Sequence, residues 1–478
     1  MARILLINPP FYRFLGSHYN ANSLGIAYIA STLNQHGHDA WLYNADFVDN
    51  REYKNLKNLF QGFHDYKDYF DNPEKHPIWE EVVQKILEFN PDWIGYTSYT
   101  ANISTINILS KMVKAKAPGV KQVVGGTHAT LDDAILAKLP AVDYAVRREG
   151  EAVMLSLVNG KPLDKIQGLS YRTSEGFIVK GEDAEVLNID YLPYPERDKF
   201  WGITDEQKKF IDVSYVSTIR GCPYRCNYCA SPYSWKRDKT QYRSPETIIE
   251  EMKYLKKNHW NLKDQDYSAS ANASPKSDLI IKDNTIVYFV DDIFTIKKKR
   301  IKEILTRIID ADLNMAWKCE ARADHLDEEI CELLAASGCT RVKLGFETGS
   351  DRLLKVIQKD ETKEQMLRGA QLLKDAGVPF TGYFMAGFPS ETDEDLRETI
   401  EFAKQIEADF YSISVLAPYF GTKMYYNLIE EGYPLDKESW EYFYHQTGKM
   451  LVNDTISEGM LKEYLSLNDL NKKGKGYV

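Results

Sequence analysis

Long apolar runs are missing from this chain of 478 residues. No stretch reaches the roughly 18 apolar residues that a membrane-spanning helix needs, and the opening residues, MARILLINPP, turn polar too soon for a signal peptide. Basic residues are not in excess either, since the formal net charge is −10, which argues against general nucleic-acid binding. We therefore expect a cytoplasmic protein without a transmembrane segment that does not act on bulk nucleic acid.

Cysteine is scarce, and half of it is in one place. Three of the six cysteines, Cys222, Cys226 and Cys229, follow a C-x3-C-x2-C spacing, and Gly221 and Pro223 favour a tight turn there. A disulfide framework is not expected, because three cysteines leave one unpaired. A structural zinc site needs four ligands, and no second pair follows. Three cysteines on a 4Fe-4S cubane would leave one iron open to an outside molecule; a chance cluster in a turn or another metal site is the alternative.

With this spacing and the aromatic Tyr228 before the last cysteine, the segment 217–233 resembles the radical S-adenosylmethionine (SAM) superfamily. The resemblance implies that the open iron binds the amino and carboxylate groups of SAM. It also implies that an electron from the cluster cleaves SAM to a 5'-deoxyadenosyl radical. An oxygen-sensitive enzyme with an external reductant of the flavodoxin or ferredoxin type is the expectation.

The first 150 residues alternate between strand and helix patterns. Such alternation predicts a doubly wound parallel (Rossmann-like) sheet, which binds ligands at the carboxyl ends of its strands. No G-x-G-x-x-G phosphate loop follows the first strand. The predicted strands are 3–8, 40–43, 93–96, 122–124 and 144–146, and the predicted helices are 24–35, 79–89, 104–116 and 131–138.

Five strings in this part resemble the cobalamin-binding domain that precedes many radical SAM enzymes: NPP, SLGIAYIASTLNQHGHDA, DWIGYTSYT, VVGGTHAT and REGE. Glycines at a strand end let a nucleotide tail approach the backbone, and hydroxyls there offer hydrogen bonds. The candidate cobalamin contacts are Tyr12, Thr97, Ser98, Thr100, Gly125, Gly126 and His128.

One motif of many cobalamin domains is absent: no D-x-H-x-x-G, whose histidine ligates cobalt from below, occurs here. His36, His38, His76 and His128 are interpreted as turn or surface histidines rather than cobalt ligands. We expect cobalamin bound base-off without a histidine ligand, with the aromatic loop 9–22 as a candidate cover for the lower face of the corrin.

The alternation resumes after residue 200 with six strand–helix units. These match the partial (β/α)6 barrel of the resembled superfamily, and the right-handed crossover rule makes a curved parallel sheet plausible. The fold class expected is α/β, ending in a small, mostly helical region. The expected domains are 1–150 for cobalamin, 151–205 as a connector with a hairpin at 174–176, 206–422 for the barrel and 423–478 as a substrate-covering region.

The ends of the barrel strands carry the candidate SAM residues. Alternation with period two places Glu320 with Arg322, and Gly345 with Glu347, on shared strand faces. Arg322 would face the carboxylate of SAM, which suits a planar guanidinium, unless it forms a structural ion pair with Glu320. Glu347 would accept the ribose hydroxyls. By resemblance, the remaining candidates are Asp291 and Asp292 for the ammonium group, with a helix cap as the alternative, and Gly387 and Leu416 near adenine.

Pairing the two domains implies a cobalamin-dependent radical SAM methyltransferase that uses methylcobalamin and the 5'-deoxyadenosyl radical to methylate an unactivated carbon. A cyclase, ring-contraction or rearrangement enzyme with the same cofactors is the alternative. A non-catalytic cobalamin or redox sensor is the third. The sequence assigns no catalytic residue, and the substrate is expected to be a small molecule or a peptide.

Overall fold

A computed structural model describes residues 1–49, 66, 68–235, 239–259, 286–435, 440–445, 447 and 449–471. The chain forms two compact units, Met1–Ile211 with Tyr419–Thr447, and Asp212–Pro418 with Gly448–Val478. The tail predicted as one region is thus divided between the units. The four-part division predicted from the sequence is finer and stays a prediction. In the described part of the chain, no helix is long and apolar enough to cross a bilayer.

The first unit contains a seven-stranded sheet in the order β2-β1-β3-β4-β5-β6-β7. Its first five strands are parallel, as predicted, and the last two add an antiparallel hairpin at the edge. The predicted hairpin turn is present: Gly176 N donates to Thr173 O. The strands are β1 Arg3–Asn8, β2 Asp39–Asn44, β3 Trp93–Thr97, β4 Lys121–Gly125, β5 Tyr144–Val146, β6 Leu169–Arg172 and β7 Ile178–Lys180.

Amphipathic helices cover this sheet. Val82, Val83, Ile86 and Phe89 follow helical spacing and are all buried, and each such side chain stabilises the fold by about 1.5–3 kcal/mol. The helix predicted at 131–138 is wrong in its bounds, because the Asp132 side chain accepts from Ala134 N and separates two short helices. The helices are Leu24–Gln35, Pro77–Phe89, Ile103–Lys116, Thr127–Leu131, Ile135–Lys138, Glu151–Val158, Asp205–Lys208 and Lys423–Glu430.

The second unit contains six parallel strands in the order β15-β14-β13-β12-β11-β8. Each strand lies beside the preceding one of this sheet, as the predicted partial (β/α)6 barrel requires. A separate antiparallel pair, β9 with β10, flanks the cysteines. The strands are β8 Tyr215–Val216, β9 Ile219–Arg220, β10 Gln241–Tyr242, β11 Ile286–Phe289, β12 Ala316–Ala321, β13 Cys339–Glu347, β14 Phe380–Ala386 and β15 Phe410–Val415.

Helices of this unit begin at side-chain caps. Ser244 accepts from Thr247 N, with Pro245 as the first helical residue, as predicted, and Thr362 and Thr392 form capping boxes. The exposed loop predicted at 259–284 lies almost entirely outside the described residues, as does much of the insertion predicted at 50–78. The helices are Ser231–Ser234, Pro245–Asn258, Lys298–Asp310, Glu328–Ala336, Asp351–Val356, Lys363–Asp375, Asp393–Ile406 and Glu458–Leu465.

Candidate functional site

The cysteine loop leaves β9 through a turn that requires glycine. Gly221 has φ +103°, a conformation that residues with a Cβ rarely adopt. The loop then tightens, because Cys229 N donates to Cys226 O at 3.2 Å. The predicted curl of the backbone around the three thiols is therefore present.

Asp291 anchors the start of this loop. Its buried carboxylate accepts from Thr218 N at 2.6 Å, from Ile219 N at 2.9 Å and from the Thr218 hydroxyl. The alternative of a helix cap is wrong for this residue, since the next helix begins at Lys298. With its acceptor capacity used by backbone and hydroxyl donors, Asp291 holds the cysteine loop against the end of β11.

The three thiols interact with one another, and burial governs their protonation. Loss of hydration raises the pKa of Cys222 to about 11 and raises the pKa of Cys226 and of Cys229, and the neighbouring thiols add to the effect at Cys222 and Cys229. Among the described residues, no three His, Cys, Asp or Glu side chains are arranged to hold a single metal ion. In a cubane each thiolate binds a different iron, so the ligands stand further apart. The three thiols fit that cluster, and iron would replace their protons.

Glu347 ends β13 in a strained backbone conformation, with φ +65°. Its side chain folds back over Gly345, where a Cβ would lie 2.7 Å from Glu347 Oε1. The hydroxyl of Tyr228, from the cysteine loop, donates to this carboxylate, and Lys359 Nζ lies 3.7 Å from it. Burial raises the pKa of Glu347, and Lys359 opposes that shift. Strain that the surroundings maintain is common at functional sites.

The side chain of Arg322 holds the turn that contains Lys359 and Asp360. Its guanidinium pairs with Asp324 at 2.9 and 3.0 Å, donates to the carbonyls of Lys359 and Asp360, and stacks 3.8 Å over the ring of Tyr224. The alternative of an ion pair with Glu320 is wrong, because Asp324 takes that place. Binding the carboxylate of SAM would require some of these contacts to open.

Glu320 lies on β12, two residues before Arg322, and accepts from the hydroxyl of Tyr288. That hydroxyl in turn accepts from Lys343 Nζ at 2.9 Å. Asp292 accepts from the hydroxyl of Ser231. Loss of hydration raises the pKa of Asp292 to about 6, with Asp291 and Glu320 adding to the shift. The charge of Glu320 therefore acts on Asp292, whereas the carboxylate of Asp291 is occupied by the cysteine loop.

The ends of β14 and β15 are tied together by backbone contacts. Leu416 N donates to Ala386 O at 2.8 Å, and Gly387, with φ +89°, donates its N–H to Glu391 Oε2 at 2.6 Å. Burial raises the pKa of Glu391 to about 8. Gly387 and Leu416 thus directly follow the paired ends of two neighbouring strands, β14 and β15, and their contact with adenine stays a prediction.

Two charged residues of this region are missing from the sequence predictions. Lys359 and Glu361 are buried, and their charged atoms lie 3.6 Å apart. Lys359 pairs with Glu361 and with Glu347 across a turn and a short helix, and no strand or helix periodicity links these positions. The only sequence signal was a lysine and a glutamate in a short segment between two helices, which is ordinarily a solvated turn.

In the first unit, hydroxyl groups tie the ends of β3 and β4 to each other. Ser98 Oγ donates to Gly125 O at 2.7 Å and accepts from Ala129 N. A Cβ at Gly126 would lie 2.6 Å from Ser98 O, so this glycine permits a close approach of the chain to itself. Gly125 has only ordinary contacts, and Thr97 is half-buried. Gly125 and Thr97 therefore remain the more open of the predicted contacts.

His128 is fully buried, which corrects the expectation of a turn or surface position. Its Nδ1 lies 3.1 Å from the hydroxyl of Thr100 and its Nε2 lies 3.4 Å from Asp132. The rings of Phe420 and Trp440 pack beside it, with centroids 5.2 and 5.1 Å away. Burial lowers the pKa of His128, while Asp132 opposes the shift. The ring is held by its own unit, and contact with cobalamin stays a prediction.

Aromatic rings gather where β1 ends. Tyr12 stacks on Tyr19 at 5.7 Å, and Phe11 packs edge-on against Tyr12, Tyr99 and Tyr444. We call these five residues the tyrosine layer. It forms because the chain turns sharply after Pro9-Pro10 into the short 3-10 helix Tyr12–Leu15.

Asp46, directly after β2, lies under the tyrosine layer. It is fully buried, and its Oδ1 accepts from Phe11 N at 2.7 Å and Arg13 N at 3.0 Å. Its Oδ2 has no hydrogen-bond partner within the described structure. Burial raises the pKa of Asp46 to about 6. A buried polar oxygen without a partner marks this strand edge as one that suits a polar or hydrated ligand, and half-buried Tyr12, Tyr99 and Thr97 are compatible with a corrin there.

Two stretches of the chain match known families. The B12 binding domain matches residues 16–158 and the radical SAM superfamily matches residues 216–403. The first stretch contains the ends of β2, β3, β4 and β5, and the second contains the three cysteines.

Relatives and solved structures have the same organisation. An uncharacterized methyltransferase of Pyrococcus horikoshii is 29% identical over 77% of this chain and 76% of its own. The anaerobic magnesium-protoporphyrin IX monomethyl ester cyclase of Rubrivivax gelatinosus is 27% identical over 76% of this chain and 63% of its own. The radical SAM methyltransferase TsrM of Kitasatospora setae, solved with cobalamin and a [4Fe-4S] cluster, shares the fold, with a TM-score of 0.69, 18% identity and coverage of 98% and 91% of the two chains.

Proposed function

Because the chain belongs to the radical SAM superfamily and carries a B12-binding domain ahead of its radical SAM domain, we propose that it is a methyltransferase acting on an unactivated carbon. It is a cobalamin-binding radical SAM enzyme whose cofactors are a 4Fe-4S cluster, SAM and cobalamin. The observation that supports methyl transfer most directly is the similarity to a methyltransferase along three quarters of both chains. The substrate carbon would lose a hydrogen atom and gain a methyl group.

SAM on the cluster supplies the 5'-deoxyadenosyl radical that removes the hydrogen atom, and methylcobalamin supplies the methyl group. For each product, one SAM yields S-adenosylhomocysteine, a second yields methionine and 5'-deoxyadenosine, and two electrons are consumed. An external reductant of the flavodoxin or ferredoxin type would provide both electrons.

In the radical SAM unit, the proposed ligands of the cluster are Cys222, Cys226 and Cys229. Glu347 would accept the ribose hydroxyls of SAM from its braced position over Gly345. Carboxylates of this edge would hold the ammonium group, and backbone groups would meet adenine. The proposed contacts of the ammonium group are Asp292 and Glu320, and those of adenine are Gly387 and Leu416. Asp291 and Arg322 would hold the neighbouring loops in place without contacting SAM.

In the B12-binding unit, we assign the lower face of the corrin to the tyrosine layer. Half-buried Tyr12 and Tyr99 offer flat, partly exposed rings, and the orphan oxygen of Asp46 below them could hold water. Gly125 and Thr97 would lie beside the nucleotide tail. Cobalamin would bind base-off without a histidine ligand, since His128 is enclosed by Thr100 and Asp132.

The deciding experiment separates the two fates of SAM. Reconstituted enzyme is incubated anaerobically with SAM, cobalamin, reductant and candidate substrates, and S-adenosylhomocysteine and 5'-deoxyadenosine are quantified with the methylated product. Methyl transfer predicts both products in equal amounts. Formation of 5'-deoxyadenosine without S-adenosylhomocysteine in the presence of a converted substrate would contradict the proposal.

The second candidate is a cyclase or rearrangement enzyme with the same cofactors. The similarity to the magnesium-protoporphyrin IX monomethyl ester cyclase, over 76% of this chain, favours it. In the experiment above it predicts 5'-deoxyadenosine alone. A sensor, the third candidate, predicts neither product of SAM.

A further inference from the structure

The turn that follows helix Asp351–Val356 is strained twice. Gln358 has φ +55° and Asp360 has φ +54°, and each such residue costs on the order of 1 kcal/mol or more unless its surroundings hold it. Arg322 provides that hold, since its guanidinium donates to the carbonyls of Lys359 at 2.9 Å and Asp360 at 3.0 Å. The protein therefore maintains an unfavourable backbone to place the side chains of this turn.

The side chain placed by the turn is the ammonium group of Lys359. It is 4% exposed, and its Nζ lies 3.7 Å from Glu347 Oε1 and 3.6 Å from Glu361 Oε2. A buried lysine is costly unless carboxylates compensate its charge. The side chain of Glu361 is itself fully buried and accepts from Asp324 N, so a second fixed carboxylate compensates the ammonium group besides Glu347.

The same turn is joined to the cysteine loop. Asn227 N donates to Ile357 O at 3.1 Å, and Asn227 Nδ2 donates to Val356 O at 2.9 Å. Asn227 is the direct neighbour of Cys226 in the chain. One ammonium group thus faces a predicted SAM contact, and its turn is hydrogen-bonded to the direct neighbour of a predicted iron ligand.

We propose that Lys359 is a positioning residue shared by the two cofactors of this unit. Its ammonium group would aim the carboxylate of Glu347 at SAM and would place a positive charge beside the sulfur of Cys226. Reduction adds one negative charge to the cluster, and a nearby cation in a partly buried site stabilises that charge. This inference rests on the roles proposed above for Glu347 and Cys226.

The test uses full-length, reconstituted protein without substrate, so that it does not depend on methyl transfer. Lys359→Gln removes the charge, Lys359→Arg keeps it, and Lys355→Gln is the control because Lys355 is exposed on the preceding helix. Iron per chain, the midpoint potential of the cluster and the dissociation constant of SAM are measured. For Lys359→Gln we expect a more negative potential and roughly tenfold weaker SAM binding, with each factor of ten corresponding to about 1.4 kcal/mol. Lys359→Arg should restore the potential, and the control should match the wild type.

A second variant has the opposite sign. Glu361→Gln removes a carboxylate that compensates Lys359, so the potential should move to more positive values. If Lys359→Gln fails to take up iron, the potential of Glu361→Gln still tests the proposal. Unchanged potential and unchanged SAM affinity in iron-loaded Lys359→Gln, or a negative shift in Glu361→Gln, would overturn the proposal. If iron-loaded variants behave as expected but no methylated product ever forms, only the proposed methyl transfer fails.

Discussion

The carboxyl ends of the parallel strands carry different kinds of side chain in the two units. We call each set of strand ends an edge. In the radical SAM unit, the edge contains buried ions held by other ions: Arg322 with Asp324, and Lys359 with Glu347 and Glu361. In the B12-binding unit, the edge contains rings and hydroxyls around one buried carboxyl group, Asp46. Both sets of parallel strands therefore offer a binding site at their carboxyl ends, but one set carries ion pairs and the other carries aromatic rings and hydroxyl groups.

The difference matches the ligands proposed for the two units. SAM is an ion with a carboxylate, an ammonium group and a sulfonium, and the cluster changes charge during the reaction. Buried ion pairs provide fixed charges that need not reorganise when such groups bind. Cobalamin is large, and flat aromatic rings with a few hydroxyls bury its surface at low cost in desolvation. The comparison therefore predicts that each edge can be damaged without affecting the cofactor of the other.

The largest expected effect comes from Cys226→Ser. Removing one thiolate of three should abolish the cluster and all cleavage of SAM, while cobalamin binds at the wild-type stoichiometry. Iron and sulfide content, together with the absorbance of bound cobalamin, measure both. Cys331→Ser is the matched control, because Cys331 is a buried packing residue on helix Glu328–Ala336. Full iron content in Cys226→Ser would contradict the assignment of the ligands.

Gly345→Ala should weaken SAM binding and leave the cluster intact. The new Cβ would lie 2.7 Å from Glu347 Oε1, so the carboxylate must move away from its braced position. We expect a loss of roughly tenfold or more in SAM affinity, a typical cost of displacing a charged hydrogen-bond partner. Gly459→Ala, where a Cβ has nothing within 4 Å, is the control. Wild-type affinity in Gly345→Ala would exclude Glu347 as a SAM contact.

His128→Ala should leave the cobalt environment unchanged and lower the stability of the protein. The ring packs against Phe420 and Trp440, and its removal creates a cavity that costs about 2–4 kcal/mol. Electron paramagnetic resonance of bound cob(II)alamin measures the first effect and the melting temperature the second, with His36→Ala, at an exposed position, as the control. A nitrogen coupling that disappears in His128→Ala would show that the histidine ligates cobalt.

Local patterns carried most of the fold prediction. The bounds of helix Leu24–Gln35 and strand β5 agree with the predicted ones, because apolar spacing and a closing glycine or turn mark these elements. Glu347 does lie by Gly345, although the strand register shifts between them, so regular alternation does not account for the contact. The cysteine spacing was informative because all three proposed ligands lie within one loop.

The parts that sequence did not reveal depend on distant partners. Arg322 binds carbonyls 37 and 38 residues away, so its role as a clamp has no local signature. His128 was expected in a turn or at the surface, yet it is buried by Phe420 and Trp440 from the other end of the chain. The tail gave no compositional sign that its two halves join different units.

The smallest expected effects concern one buried carboxyl group in each unit, Glu391 and Asp46. These two groups should change the stability of the protein over different ranges of pH. Burial raises the pKa of Glu391 from an ordinary value of about 4.5 to about 8 and that of Asp46 from about 3.8 to about 6. A raised carboxyl pKa means that the folded state binds protons more tightly, so the stability due to the neutral form is complete below the ordinary pKa and is lost as pH rises through the raised one.

Melting temperatures of the cofactor-free protein from pH 4 to 8.5 should therefore show two windows. The wild type loses stability as each carboxyl group ionises, and the neutral variants do not. The stability of Glu391→Gln relative to the wild type should therefore increase with pH and level off at about pH 8, whereas that of Asp46→Asn should level off at about pH 6. Each change should amount to a few degrees. Glu394→Gln, at an exposed position, is the control and should follow the wild type at all pH values. Parallel curves for all three variants would mean that neither carboxyl group is protonated in the folded protein near neutral pH, and that burial does not distinguish these two edges from the surface.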